Sequence, residues 1–128
     1  GPNLGIISDV GASWFVPNLI GRARANGMGL LGEDISAKQA KEWGLIWDCV
    51  PDEELIPKAE EIAKKLANGP ITGLKEIVKA HDKALSGSLS EQLDYEKETQ
   101  RIRLDSKDFR EGVTAFAEKR KPNFKDLD

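Results

Sequence analysis

The sequence is poor in the residues that build metal centres, disulfides and nucleophilic relays. It has one cysteine, Cys49, and one histidine, His81, in 128 residues. A lone cysteine cannot close an intramolecular disulfide, and one Cys with one His cannot make a Cys/His metal set. No metal is therefore expected, and a reducing compartment is. A Ser/His/Asp relay cannot be argued either, since His81 lies among charged residues on a predicted helix and belongs in solvent. Cys49 stands between Asp48 and Val50 with no adjacent cation to hold a thiolate, so packing rather than reactivity is expected of it.

Other absences narrow the field further. Aromatic residues make up only 6% of the chain. The stretch GLLGEDIS, Gly29 to Ser36, lacks the Gly-Lys-Ser/Thr ending of a phosphate loop. No apolar run approaches the roughly 20 residues that span a bilayer, and no charged-then-apolar leader is present. With a net charge of −3 and a pI near 5.3, no broad basic face is expected. Neither nucleic acid nor a membrane is thus the expected partner, and the expected location is cytoplasmic. No internal repeat of solenoid period is found.

What is present is a helix-rich pattern, with 39% hydrophobic and 32% charged residues of both signs interspersed. Leu4 to Ile7 reads as a short extended segment, interrupted by Ser8, Asp9, Gly11 and Ala12. Trp14, Phe15, Leu19 and Ile20 share a helix face, and a second helical stretch follows with Gly21 or Gly27 as the divider. Ser36 with Gln39 fits a capping box for a short helix, Ala37 to Trp43, stopped by Gly44. Leu45 to Val50 reads as a strand ended by Pro51.

Asp52 is placed to cap a helix over 53–68 whose stripe is Leu55, Ile56, Ala59, Ile62, Ala63 and Leu66. Further helices are predicted over 71–85, from Ser88 to about Leu104, and over 109–119 after a hinge at 105–108. The expected class is mostly α with one or two short strands. So polar a helical cluster on so little sheet predicts a piece of a larger domain. The opening Gly1-Pro2, of a kind that tag-removing proteases leave, points the same way.

Two places could carry chemistry. Asp9 sits in an apolar run ahead of small residues. It either caps the helix that follows or, desolvated by Leu4, Ile6, Ile7 and Trp14, acts as a proton-transfer group. Near the other end Phe116 and Lys119 share a helix face, with Arg120 and Lys121 beside them. This is either a solvated basic helix end or a docking element in which a lysine meets phosphate and a ring meets an apolar part of a ligand.

Three stretches, in order, bear on that choice: GIISDVGASWFVP, LLGEDISAKQAKEWGLI and REGVTAFAEKRKP. Together they resemble the C-terminal half of the crotonase (enoyl-CoA hydratase/isomerase) superfamily, over essentially the whole chain from Leu4. Within it, WGLIW and LDYEKETQR are most similar to the ring-epoxide isomerases of phenylacetate breakdown, which act on 2-(1,2-epoxy-1,2-dihydrophenyl)acetyl-CoA.

The resemblance implies the C-terminal part of the α/β crotonase (ClpP/crotonase-like) fold. Residues 1–50 would be the end of the β/α spiral core with an active-site segment, and 51–128 a helical cover and trimerisation region. It implies Asp9 as the catalytic acid/base, with Gly11, Trp14, Phe116 and Lys119 binding substrate and coenzyme A. No separate cofactor is implied, because coenzyme A is part of the thioester substrate. The family's oxyanion amides come from earlier segments than these.

Ser8 stands where the family usually has Pro, and Gly11-Ala12 where it has Gly-Gly; the Ala12 methyl would narrow the site. The implied partners are an acyl-CoA thioester and copies of the same chain, as a trimer or hexamer at full length. The implied activity is hydratase/isomerase chemistry, with the isolated piece inactive. The competing reading is a non-catalytic helical association module. Either way the piece is expected to associate through apolar surface.

Overall fold

Residues 2–125 are described by the computed structural model, and their regular structure is helical throughout. The chain divides into two compact units, one up to Leu55 and the other from Ile56 on.

In the first unit a 3-10 turn at Pro2–Leu4 precedes α1 (Ala12–Ile20), α2 (Arg22–Leu31) and α3 (Ala37–Trp43). Gly21, at φ 86° and ψ 160°, is the residue that divides α1 from α2, while Gly27 continues the helix. Its amide still donates to the Pro17 carbonyl at 2.9 Å, so the bend costs α1 no hydrogen bond there. α1 packs on α2 and buries Ile20.

α3 ends as its sequence dictates and begins with half of the expected capping box, since no bond from the Gln39 side chain back to the Ser36 amide is found among the described residues. The Ser36 hydroxyl accepts the Gln39 amide at 3.0 Å, and Gly44 closes the helix in the left-handed conformation. Arg24 lies 5.2 Å over the ring of Trp43, and Lys41 pairs with Asp48 at 2.6 Å. That partner raises the Lys41 pKa, first through the hydrogen bond and then through its charge.

Several expectations are corrected. No strand occurs among the described residues: 6–9 and 48–50 lack regular structure and 45–47 form bends. An extended segment becomes a strand only when a neighbour completes its hydrogen-bond ladder, and neither segment has one here. Asp52 does not cap α4 (Leu55–Ala67); it opens a 3-10 turn, Asp52–Glu54, whose preceding residue Pro51 supplies no side-chain cap. Cys49 is half-buried rather than buried, its amide bonded to the Asp48 carboxylate at 2.8 Å.

The second unit holds α4 from Ile56, then α5 (Ile71–Ala84), α6 (Leu89–Leu104) and α7 (Lys107–Ala117). α6, the longest helix, opens at Ser88 as expected, with a capping box in which Ser88 and Glu91 each satisfy the other's backbone amide. α5 packs on α6, tied by Gln92 Nε2 to the Ala80 carbonyl (2.9 Å) and by the Tyr95 hydroxyl to Glu76 (3.2 Å).

The expected four-residue hinge shrinks to two residues. Ser106, buried, donates its hydroxyl to the Arg103 carbonyl at 2.6 Å and accepts the Phe109 amide at 3.1 Å, so α7 starts two residues earlier than its apolar spacing suggests. His81 is exposed, as its charged surroundings predict.

The apolar stripe of α4 stands in solvent, Leu55, Ile56, Ile62 and Leu66 all being exposed. Hydrophobic patterning thus outruns the partners that this chain supplies.

Candidate functional site

Asp9 heads a turn rather than a helix. The Ala12 amide donates to the Asp9 carbonyl at 3.0 Å, and the two residues between them, Val10 (φ 55°) and Gly11 (φ 86°), are both left-handed. Consecutive left-handed residues of this kind make the tight turn that Asn-Gly and Gly-Gly pairs adopt readily. Gly11 suits it; a Cβ there would be strained and would come within 3.1 Å of the Phe15 ring. Val10 does not suit it, since a β-branched side chain at positive φ is a genuine outlier. Strain of this sort clusters where a side chain must be aimed.

The capping role considered for Asp9 is overturned. The N-cap of α1 is Gly11, with no side-chain cap, and its carbonyl accepts the amides of Trp14 (3.0 Å) and Phe15 (2.9 Å). The turn carries Asp9 outside the first helical turn, where its side chain would have had to reach back. The enclosing apolar shell does not form either, because Leu4, Ile6 and Ile7 are exposed, as Asp9 itself is.

Asp9, Gly11 and Trp14 lie near one another in sequence at the head of α1, but none of the three lines the groove beside it. Trp14, 45% exposed, stacks edge-on against Phe15 with centroids 4.9 Å apart. A groove of about 420 Å³ runs alongside, lined by Ser8, Ala12, Ser13, Val16, Asn26 and Met28 among others. The methyl of Ala12 therefore faces this groove. Ser13 and Asn26 are its polar groups that the sequence reading missed; no spacing rule joins two helices across a glycine break.

At the second place, Phe116, 88% exposed, lies in the last turn of α7, whereas Lys119 stands beyond its end at Ala117, so the two do not share a helix face as expected. Lys119 is left-handed at φ 55°. Its neighbour Arg120 reaches back to Glu111 with both terminal nitrogens, at 2.7 and 3.1 Å. Glu111 also accepts the Asn123 amide at 2.7 Å, and Arg120 Nε bonds Glu118 at 3.1 Å. The guanidinium, followed by the Asn123 amide, holds the Glu111 carboxyl down at about 2; Glu111 and then Glu118 raise the Arg120 pKa in turn.

Beside this end lies an apolar groove of about 480 Å³ walled by Phe109, Val113, Phe116 and Phe124 among others. Sequence reading places Arg120 beside Lys119 but points neither to Glu111 as its partner nor to Phe124. A pair nine residues apart across a helix terminus has no periodic signature. Among the described residues no group of three or more His, Cys, Asp or Glu could hold a metal ion, and no helix is long and apolar enough to cross a membrane.

A family profile described as Enoyl-CoA hydratase/isomerase matches residues 1–127. The 1,2-epoxyphenylacetyl-CoA isomerase of Escherichia coli (strain K12) is 48% identical over 121 residues, covering 94% of this chain and 46% of that protein. A probable enoyl-CoA hydratase of Rhodobacter capsulatus is 42% identical over 121 residues, 94% of this chain and 47% of its own.

The crystal structure of an enoyl-CoA hydratase from Bacillus anthracis superposes with a TM-score of 0.90 at 36% identity, over 96% of this chain and 48% of that one. The chain thus spans about half the length of the curated relatives it matches.

Proposed function

Given that the chain belongs to the enoyl-CoA hydratase/isomerase family, we propose that it forms the C-terminal half of an acyl-CoA isomerase, with Asp9 as the acid/base. The observation that carries this is the strained Val10-Gly11 turn, which spends conformational energy to hold a carboxylate off the end of α1. In the reaction, Asp9 accepts a proton from a carbon next to the thioester and returns it to another carbon of the substrate, shifting a double bond. The electron pair left behind lies on the thioester oxygen, which needs two backbone amides as donors. Relatives about twice as long as this chain support the view that those donors lie in other residues, so the 128 residues alone are expected to be inactive.

Identity to a 1,2-epoxyphenylacetyl-CoA isomerase supports a ring-epoxide thioester as the substrate and enoyl thioesters as the alternative. Gly11 and Trp14 would line the acyl end, and Phe116 and Lys119 the coenzyme A end, with no separate cofactor. The test is turnover of both thioester classes by the protein at its full natural length and by Asp9→Asn. A loss of about a hundredfold to ten-thousandfold in kcat is expected. Unchanged turnover would remove Asp9 from the mechanism.

A second reading, a non-catalytic helical association module, is favoured by the exposed apolar stripe of α4. The two are compatible, since the family resemblance implies trimers or hexamers. Sedimentation of the 128-residue chain is expected to give a defined oligomer; a monodisperse monomer would contradict it.

A further inference from the structure

Lys119 occupies a position that a glycine would fill at lower cost. α7 ends in a two-bond terminator: the Lys119 amide donates to the Phe116 carbonyl at 3.2 Å, and the Arg120 amide to the Ala115 carbonyl at 3.0 Å. α3 ends in the same way, with the Gly44 amide on Lys41 at 3.1 Å and the Leu45 amide on Ala40 at 2.9 Å. In both, the residue between the helix and its exit is left-handed, at φ 83° for Gly44 and 55° for Lys119. Glycine takes this conformation without steric cost, whereas any residue with a Cβ does not.

The chain around Lys119 is fastened to compensate. Arg120 bonds Glu111 through both terminal nitrogens, the geometry in which a guanidinium and a carboxylate are most specific. Glu111 Oε2 also takes the Asn123 amide, so one carboxylate on α7 fixes the backbone on the far side of the lysine. Glu118 occupies the remaining face of Arg120. The Arg120 charge is therefore consumed internally, while no ion pair among the described residues engages Lys119 or Lys121. Among the described residues this leaves the Lys119 and Lys121 ammoniums without an ion-pair partner, Lys119 within one turn of an exposed ring.

We infer that Glu111 and Arg120 are positioning residues: their clamp holds Lys119 left-handed, so that its ammonium, together with the Phe116 ring, meets the phosphate-bearing nucleotide of a coenzyme A thioester. This rests on the reading of Phe116 and Lys119 as the coenzyme A end of the site. A pantetheine thioester, which has the acyl group but no nucleotide, is indifferent to the clamp.

The experiment compares kcat and KM for one acyl group carried on coenzyme A and on pantetheine, in the protein at its full natural length. Glu111→Gln is expected to raise KM for the coenzyme A thioester about tenfold, the scale of one charge-assisted hydrogen bond. It should leave kcat and both pantetheine constants unchanged, and Glu111→Asp, which keeps the charge, should recover most of the loss. Equal losses on both thioesters, or an unchanged KM, would overturn the inference.

Should Glu111→Gln fail to fold, Arg120→Gln is measured in its place, and failure of both shows a clamp that serves stability alone. Lys119→Ala separates the two layers of the argument. If it leaves the coenzyme A KM unchanged, the underlying reading of Lys119 fails; if it raises KM while Glu111→Gln does not, only the positioning role fails.

Discussion

The carbonyl of Asp9 accepts the amide of Ala12 at 3.0 Å, and the two residues enclosed by that bond are both left-handed. The strain falls on Val10, whose side chain is 96% exposed and so gains nothing from packing. A left-handed residue with a Cβ costs about 1–2 kcal/mol, and glycine gives back part of that through its freer unfolded chain. Val10→Gly is thus expected to stabilise the protein by about 0.5–1 kcal/mol in urea unfolding and to lower kcat, because Asp9 is then less firmly held. Gly11→Ala should do the opposite for stability. A less stable Val10→Gly would show that the turn is unstrained.

The two serine caps of the second unit differ in a way that unfolding can measure. Ser88 Oγ takes the Glu91 amide in an exposed setting, where water can replace it. Ser106 Oγ, buried, serves the Phe109 amide and the Arg103 carbonyl together. Ser106→Ala should cost about 1–2 kcal/mol and Ser88→Ala about 0.5–1, the usual range for lost caps. Thermal unfolding of both variants checks the order. Equal losses would mean that burial of Ser106 adds nothing.

Ser88 is legible in the sequence as a helix start, whereas Ser106 falls in the stretch 105–108 expected to be a hinge. Ser36, Gly44 and Ser88 each act within four residues of their partners, so spacing alone placed α3 and α6. Composition predicts a strand over 45–50 and a strand end or extended entry over 4–7, but a ladder needs a partner strand, and none lies among the described residues. The α4 stripe was legible as a stripe, not as a surface left exposed. At the candidate site Asp9, Gly11, Trp14, Phe116 and Lys119 could be named, because motif order carried them. The left-handed states of Val10 and Lys119 could not, since neither residue favours them. Nor could the Glu111–Arg120 clamp, whose partners meet only after the chain reverses past Lys119.

Acid should unfasten that clamp. The groups facing Glu111 are Arg120 and the Asn123 amide, with Glu118 on the other side of the guanidinium. Arg120, followed by the Asn123 amide, lowers the Glu111 carboxyl from the ordinary 4.5 to about 2. A carboxylate lowered in the folded state adds stability that is fully present above its unfolded pKa and is lost as pH falls through the folded one. The difference in urea midpoint between the protein and Glu111→Gln should therefore be constant above about pH 5 and shrink as pH falls from about 4.5 towards 2. A difference independent of pH across that window would show that the charge of Glu111 does not stabilise the fold.

Lys119→Gly sets stability against binding in one substitution. Its side chain is exposed and its backbone already sits where glycine is at ease, so removing it should relieve strain without opening a cavity. We expect a gain of about 0.5–1 kcal/mol in unfolding free energy, together with a rise in KM for a coenzyme A thioester and none for its pantetheine counterpart. A residue retained only for structure would not be one whose replacement improves the structure. If Lys119→Gly is less stable, the terminator is not strained, and the contrast with Gly44 loses its force. If it is more stable and KM is unchanged, the lysine is not kept for the nucleotide, and its presence at this helix end needs another ligand to explain it.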